Sequence, residues 1–81
     1  MRPKELKIDD IYVPVKRRAT RDQQTVEALA AAILEDGQKV PIQVRQDGER
    51  LILIEGLHRL EACRALGEDT VLGILVRARL H

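Results

Sequence analysis

The chain has 81 residues, 44% of them apolar, with fourteen Lys and Arg against thirteen Asp and Glu and a formal charge of +1. One small domain is expected, burying about 60% of its unfolded surface, and the apolar content is too high for a disordered tail. The near-neutral balance excludes a surface given over wholly to nucleic acid, leaving room only for a local basic patch, and no run nears the roughly 20 apolar residues that span a bilayer.

Met1 to Glu5 is polar and reads as loose. Leu6, Ile8, Ile11 and Val13 flank Asp9-Asp10, which predicts a strand at 5–8, a turn at 9–10 and an extended piece at 11–13. Pro14 holds Val13 extended. Lys16, Arg17, Arg18 and Arg21 put four cations in six positions, read as a loop. Like charges so close repel unless an anion or a carboxylate answers them. Gln23 to Asp36 is the clearest helix: Val26, Leu29, Ala30, Ile33 and Leu34 fall at helical spacing, and the alanines add propensity. Asp22 or Thr25 can cap it, and Gly37 marks its exit. Its polar face carries Glu27, Glu35 and Asp36.

Pro41 suits the first residue of a strand, with Ile42 and Val44 on one face and Gln43 and Arg45 on the other. Asp47-Gly48 signals a hairpin joining 42–46 to 51–55. Leu51 to Ile54 leaves no wet face and reads as a buried strand. Gly56 follows, then a helix over 57–66 with Leu60, Cys63 and Leu66 on one side and Gly67 at its stop. Cys63, the single cysteine, excludes an intrachain disulfide and reads as a small core residue rather than a nucleophile. Glu61 and Arg64 read as solvated helix residues. Val71 to Val76 is the last strand, and Gly73 in it marks a bulge or the close approach of another backbone. With one Tyr and neither Trp nor Phe, the core is aliphatic. The reading is an α+β fold: a small mixed β-sheet covered by two main helices, one domain over 1–81 with its core at about 6–76. The abrupt end at Arg79-Leu80-His81 fits a piece of a longer chain, with His81 as the start of a tag. No signal-peptide core opens the sequence, so the cytoplasm is the expected location.

The chemistry concentrates where the buried strand meets the helix. A strand feeding a helix through Gly56 leaves backbone N–H groups where an anion can reach them, and Gly56 permits a tight turn and a close ligand. The candidate donors are the N–H groups of Leu57, His58 and Arg59. Arg59 adds a guanidinium fork suited to phosphate oxygens, unless it pairs with Glu55 or Glu61. His58 either donates to a phosphate or simply opens the helix. Glu55 can hold Mg2+ or act as a base; its other reading is a partner for Arg59 or for the Arg17-Arg18 segment. Arg17, Arg18 and Arg21 form either the second wall of an anion pocket or a contact for the DNA backbone. His58 and His81 are the only histidines, so no side-chain cluster for a metal is expected.

Taken together, these segments resemble the ParB/sulfiredoxin-like superfamily and its ParB N-terminal domain. The resemblance runs from about Leu6 to Val76. It rests on Leu-x-Ile-x-x-Ile-x-Val-Pro followed by Arg17-Arg18, on Val26 to Ile33 running into Asp36-Gly37, on Pro41-Ile42-x-Val44-Arg45, and on Glu55-Gly56-Leu57-His58-Arg59-Leu60-Glu61-Ala62 with Ala65-Leu66-Gly67. It implies a partition-type domain that binds a nucleoside triphosphate, CTP or ATP with Mg2+, through Gly-x-x-Arg-x-x-Ala, here Gly56, Arg59 and Ala62, with Arg17, Arg18 or Arg21 as a second cationic contact. Sulfiredoxins carry a cysteine directly before the His-Arg pair; Leu57 stands there in this chain, which argues against their chemistry. Free-serine kinases of the superfamily have an acidic residue before the glycine, which Glu55 echoes. The alternatives are therefore an ATP-dependent phosphotransferase or nuclease-like enzyme, or a DNA-binding or protein-interaction module without nucleotide. Any hydrolysis of the triphosphate would be slow. DNA would be met through further domains or the Lys16–Arg21 segment, and a second copy or a partner domain could dock on the aliphatic surface. No membrane partner is expected.

Overall fold

The computed structural model describes residues 2–77. The Arg79-Leu80-His81 end and the tag reading lie outside them. In chain order come β1 (Lys4–Lys7), a 3-10 turn (Ile8–Asp10), β2 (Ile11–Tyr12), α1 (Val15–Arg18), α2 (Gln23–Asp36), β3 (Ile42–Asp47), β4 (Arg50–Glu55), α3 (Leu57–Ala65) and β5 (Thr70–Leu75). The five strands form one mixed sheet ordered β1-β5-β3-β4-β2. β1 with β5 and β3 with β4 are antiparallel; β3 with β5 and β2 with β4 are parallel.

The expected α+β class holds, and α2 has the predicted bounds. Asp22 caps it, its carboxylate accepting from the Gln24 N–H at 3.3 Å and from the Thr25 hydroxyl at 2.6 Å. Four local readings change. The first strand runs one residue earlier than 5–8: Lys4 joins β1, its backbone paired with Gly73 of β5, and Ile8 falls in the 3-10 turn. The basic segment begins as a helix: α1 starts after Pro14, whose carbonyl accepts from the Arg17 and Arg18 N–H groups. The β3–β4 turn is centred on Gly48-Glu49, one residue later than expected, because Asp47 pairs with Arg50 in the ladder. Gly73 marks neither a bulge nor a backbone contact. A Cβ there would stand 2.5 Å from the Leu6 side chain, and the irregularity of the sheet lies at Gln43/Val44.

The helices do not share the sheet equally. α3 lies on β3 and β5, while α2 packs mainly against α3. The core joins Ile8, Ile11 and Val13 to Ile42, Val44, Leu53, Leu57, Leu60, Cys63 and Val71, with Leu6, Ile33 and Leu51 at its margin. Burying a side chain such as Leu60 stabilises by about 1.5–3 kcal/mol. Leu34, expected on the apolar face of α2, is 76% exposed, because only the stripe through Val26, Leu29 and Ile33 turns inward. Ile52 alternates to the face of the sheet opposite Leu53, between its register partners Arg45 and Tyr12. Gln38, just past α2, supplies the sheet with a surrogate neighbour. Its amide donates to the Leu72 carbonyl at 2.8 Å and accepts from the Leu72 N–H at 2.7 Å.

α3 ends in a Schellman arrangement. The Gly67 N–H reaches the Arg64 carbonyl at 3.0 Å, the Glu68 N–H reaches that of Cys63 at 3.1 Å, and Gly67 takes φ +78°.

Candidate functional site

The parallel pairing of β2 with β4 brings their carboxyl ends to the same end of the sheet. β2 leads through Val13-Pro14 into α1, and β4 leads through Gly56 into α3. Crevices beyond the carboxyl ends of parallel strands are common ligand sites in α/β sheets. Gly56 takes φ +105°, which residues with a side chain rarely adopt. A Cβ there would stand 2.6 Å from Ile42 Cγ2, so the fully buried Ile42 also demands the glycine. The first bond inside α3 runs from the Leu60 N–H to the Gly56 carbonyl at 2.9 Å, and no side chain caps the helix. The N–H groups of Leu57, His58 and Arg59 therefore have no acceptor within α3.

These groups border a cleft of about 460 Å3, walled by Arg17, Thr20, Thr25 and Leu29 across from Glu55 and the first turn of α3. Arg59 is half-buried there. Among the described residues it forms no ion pair, because the carboxylates expected to meet it are engaged elsewhere. Glu55, 63% exposed, pairs with Arg17 at 3.5 Å. Glu61 pairs with Arg21 at 2.9 Å and Arg64 at 3.2 Å. The reading of Glu55 as a structural partner of the Arg17 segment is thus realised.

His58 ties the two helix starts together. The Asp22 N–H donates to His58 Nε2 at 3.0 Å. Nε2 acts as the acceptor there, which leaves Nδ1 as the ring's donor. The Thr25 hydroxyl beside Asp22 holds its carboxyl below the usual carboxylate range, aided by the Gln24 and Thr25 N–H groups, against a smaller opposing effect of desolvation.

Arg18 and Arg21 do not reach this cleft. α1 turns about 100° per residue, so Arg17 and Arg18 leave it in different directions. Arg18 Nε donates to the Val13 carbonyl at 3.1 Å, and Arg18 and Arg21 line a second cleft of about 640 Å3 with Tyr12, Glu61 and Arg64. The two clefts meet at Leu57. Glu61, read as solvated, is only 17% exposed at its side chain because two guanidinium groups cover it. Sequence spacing gave no sign of Thr20 or Tyr12 as lining residues; their placement follows from the α1 geometry and the β2–β4 pairing.

Among the described residues no group of three or more His, Cys, Asp or Glu side chains is placed to hold a metal ion. Cys63 is buried, as read; burial pushes its thiol pKa up and Glu68 adds to the shift. Among the described residues no helix is long and apolar enough to cross a membrane.

A small mixed sheet with a glycine-headed helix at the ends of two parallel strands defines a ParB/sulfiredoxin-like domain, and comparison with known proteins agrees. The family model for the ParB N-terminal domain matches residues 2–80, and the chain belongs to that family. It is 37% identical over 71 residues to a probable chromosome-partitioning protein ParB of Campylobacter jejuni, a match covering 86% of this chain and 26% of that protein. The chain therefore spans about a quarter of that relative. Among solved structures, sulfiredoxin from Arabidopsis thaliana superposes with a TM-score of 0.86 at 29% identity, covering 96% of this chain and 88% of that one. The C-terminally truncated chromosome-partitioning protein ParB from Caulobacter crescentus, complexed with CTP-gamma-S, superposes with a TM-score of 0.81 at 25% identity, covering 95% and 45%.

Proposed function

We propose that this domain binds a nucleoside triphosphate, CTP or ATP, in the cleft at the head of α3 and serves a protein of DNA partition or DNA-linked regulation in the cytoplasm. The observation that carries the reading is Arg59: a half-buried guanidinium without a carboxylate partner among the described residues, beside three uncapped amides. Leaving such a cation unanswered costs desolvation that an external anion recovers. The donor set suits polyphosphate: the N–H groups of Leu57, His58 and Arg59, the Arg59 fork, the Nδ1–H of His58, and Arg17 once it exchanges Glu55 for a phosphate oxygen. The relative from Caulobacter crescentus, complexed with CTP-gamma-S, supports the ligand class.

Mg2+ would arrive with the triphosphate and neutralise its oxygens, and Glu55 is the nearby carboxylate able to join it. The catalytic reading of Glu55 gains less support, since its carboxylate is exposed and already paired with Arg17. DNA contact belongs in this proposal to parts of the protein beyond the domain; a chromosome-partitioning protein ParB complexed to the centromeric parS site shares the fold.

The test is a backbone amide NMR titration with CTP, ATP and GTP in the presence of Mg2+. Saturable shifts centred on Gly56 to Arg59 and Arg17 with at least one nucleotide are expected. Shifts scattered over the surface, or none at millimolar ligand, would contradict the reading.

A further inference from the structure

The second cleft has no part in the triphosphate reading. It opens beside β2, away from Arg59, and carries Arg18, Arg21 and Arg64 with Glu61 as its one carboxylate. Each guanidinium is held in place. Arg18 donates to the Val13 carbonyl at 3.1 Å, and Arg21 and Arg64 share Glu61 at 2.9 and 3.2 Å. A guanidinium already positioned loses little freedom when a ligand arrives. Three cations against one carboxylate leave an excess of two positive charges, so the complementary ligand is acidic.

Tyr12, 37% exposed, is the main apolar surface of the cleft, beside the edges of Ile11, Val13 and Leu57, which the core otherwise buries. An acid that fits meets apolar surface chiefly at Tyr12. The Tyr12 ring centroid lies 6.0 Å from Arg18 Cζ and 4.7 Å from Arg50 Cζ, which holds it as a wall of the cleft. The third observation concerns the backbone. β2 is the end strand of the sheet, and its outer edge has no partner strand among the described residues. Such an edge can pair with another extended chain. A DNA backbone would meet only three cations here, two of them already sharing Glu61.

From these three observations we infer that the second cleft docks an extended acidic–aliphatic peptide segment of a partner protein. Its backbone runs beside β2, its carboxylates meet Arg18, Arg21 and Arg64, and an aliphatic side chain packs on Tyr12 beside the edges of Ile11, Val13 and Leu57. The site uses none of the amides at the head of α3 and is read without nucleotide, so it stands or falls separately from the triphosphate proposal.

Fluorescence anisotropy with three labelled probes tests it: a short peptide alternating Asp and Leu, the same peptide with Asn for Asp, and a mixed-sequence DNA duplex. Saturable binding of the Asp–Leu peptide is expected, with the Asn–Leu peptide weaker by about tenfold or more. The Arg18→Gln/Arg64→Gln protein should lose about tenfold or more in affinity for the Asp–Leu peptide, whereas Lys39→Gln, which removes a cation from outside both clefts, should bind as wild type. A measurement that needs no variant is the amide spectrum of the wild-type chain, in which Ile11 to Val13 should shift with the peptide and not with inorganic phosphate. Equal affinity for the Asn–Leu peptide, absence of peptide binding, equal loss in Lys39→Gln, or duplex binding through the same arginines in place of peptide binding would each overturn the inference.

Discussion

On one side of Leu57, half-buried Arg59 has no carboxylate partner among the described residues; on the other, Arg21 and Arg64 share Glu61 and Arg18 rests on a backbone carbonyl. The same side chain is thus presented in two states. A guanidinium that has lost water without gaining a carboxylate is poised for an external anion. A guanidinium fixed by a shared internal carboxylate keeps part of its charge for a ligand and meets it from a set direction. The position of the acids, more than the number of arginines, separates a candidate phosphate cradle from a candidate docking groove.

The largest expected effect comes from the frame of the first cleft. Gly56→Ala must place a side chain at φ +105° against Ile42, and a loss of about 3 kcal/mol in urea unfolding is expected. A loss under about 1 kcal/mol would mean that the junction yields easily. Gln38→Ala touches neither cleft and breaks both bonds to Leu72, so about 2 kcal/mol should be lost while both clefts keep their ligands. Glu61→Gln sharpens the contrast directly. It releases Arg21 and Arg64, making the second cleft resemble the first, and should cost about 1 kcal/mol while raising the salt sensitivity of any anion binding there.

The smallest effect is a pH dependence at Asp22. Its folded pKa lies below the unfolded value, so its contribution is fully present above the ordinary carboxylate range and disappears as pH falls through the folded value. The urea midpoints of wild type and Asp22→Ala should therefore differ at neutral pH and converge in acid. A constant gap down through the acid range would show that the cap acts without its charge.

Much of the fold was readable because local signals agreed. The Asp22 cap, the alanine run and Gly37 bounded α2, and Gly67 closed α3 as expected. The alternation at Ile42 and Val44 pointed inward as read. The departures are long-range. A four-residue helix such as α1 is too short to show periodicity, and its adjacent cations resembled a loop. The approach of Leu6 to Gly73 and the bonding of Gln38 to Leu72 join residues far apart in sequence, so local pattern carried no trace of them. The strand–glycine–helix junction was legible in the candidate site. Which arginines it gathers was not, because a single residue step around α1 sends Arg17 to one cleft and Arg18 to the other.

The central claim is that Arg59, without a carboxylate partner among the described residues, makes the head of α3 a triphosphate site. Calorimetric titration of CTP with Mg2+ into the wild-type chain and into Arg59→Ala addresses it most directly, with ATP and GTP as further ligands. Saturable binding by the wild type of at least one nucleotide is predicted, weakened by about tenfold to a hundredfold in Arg59→Ala with the urea midpoint unchanged. Equal affinities in the two proteins, or no heat of binding to the wild type with any of the three nucleotides at millimolar concentration, would contradict it.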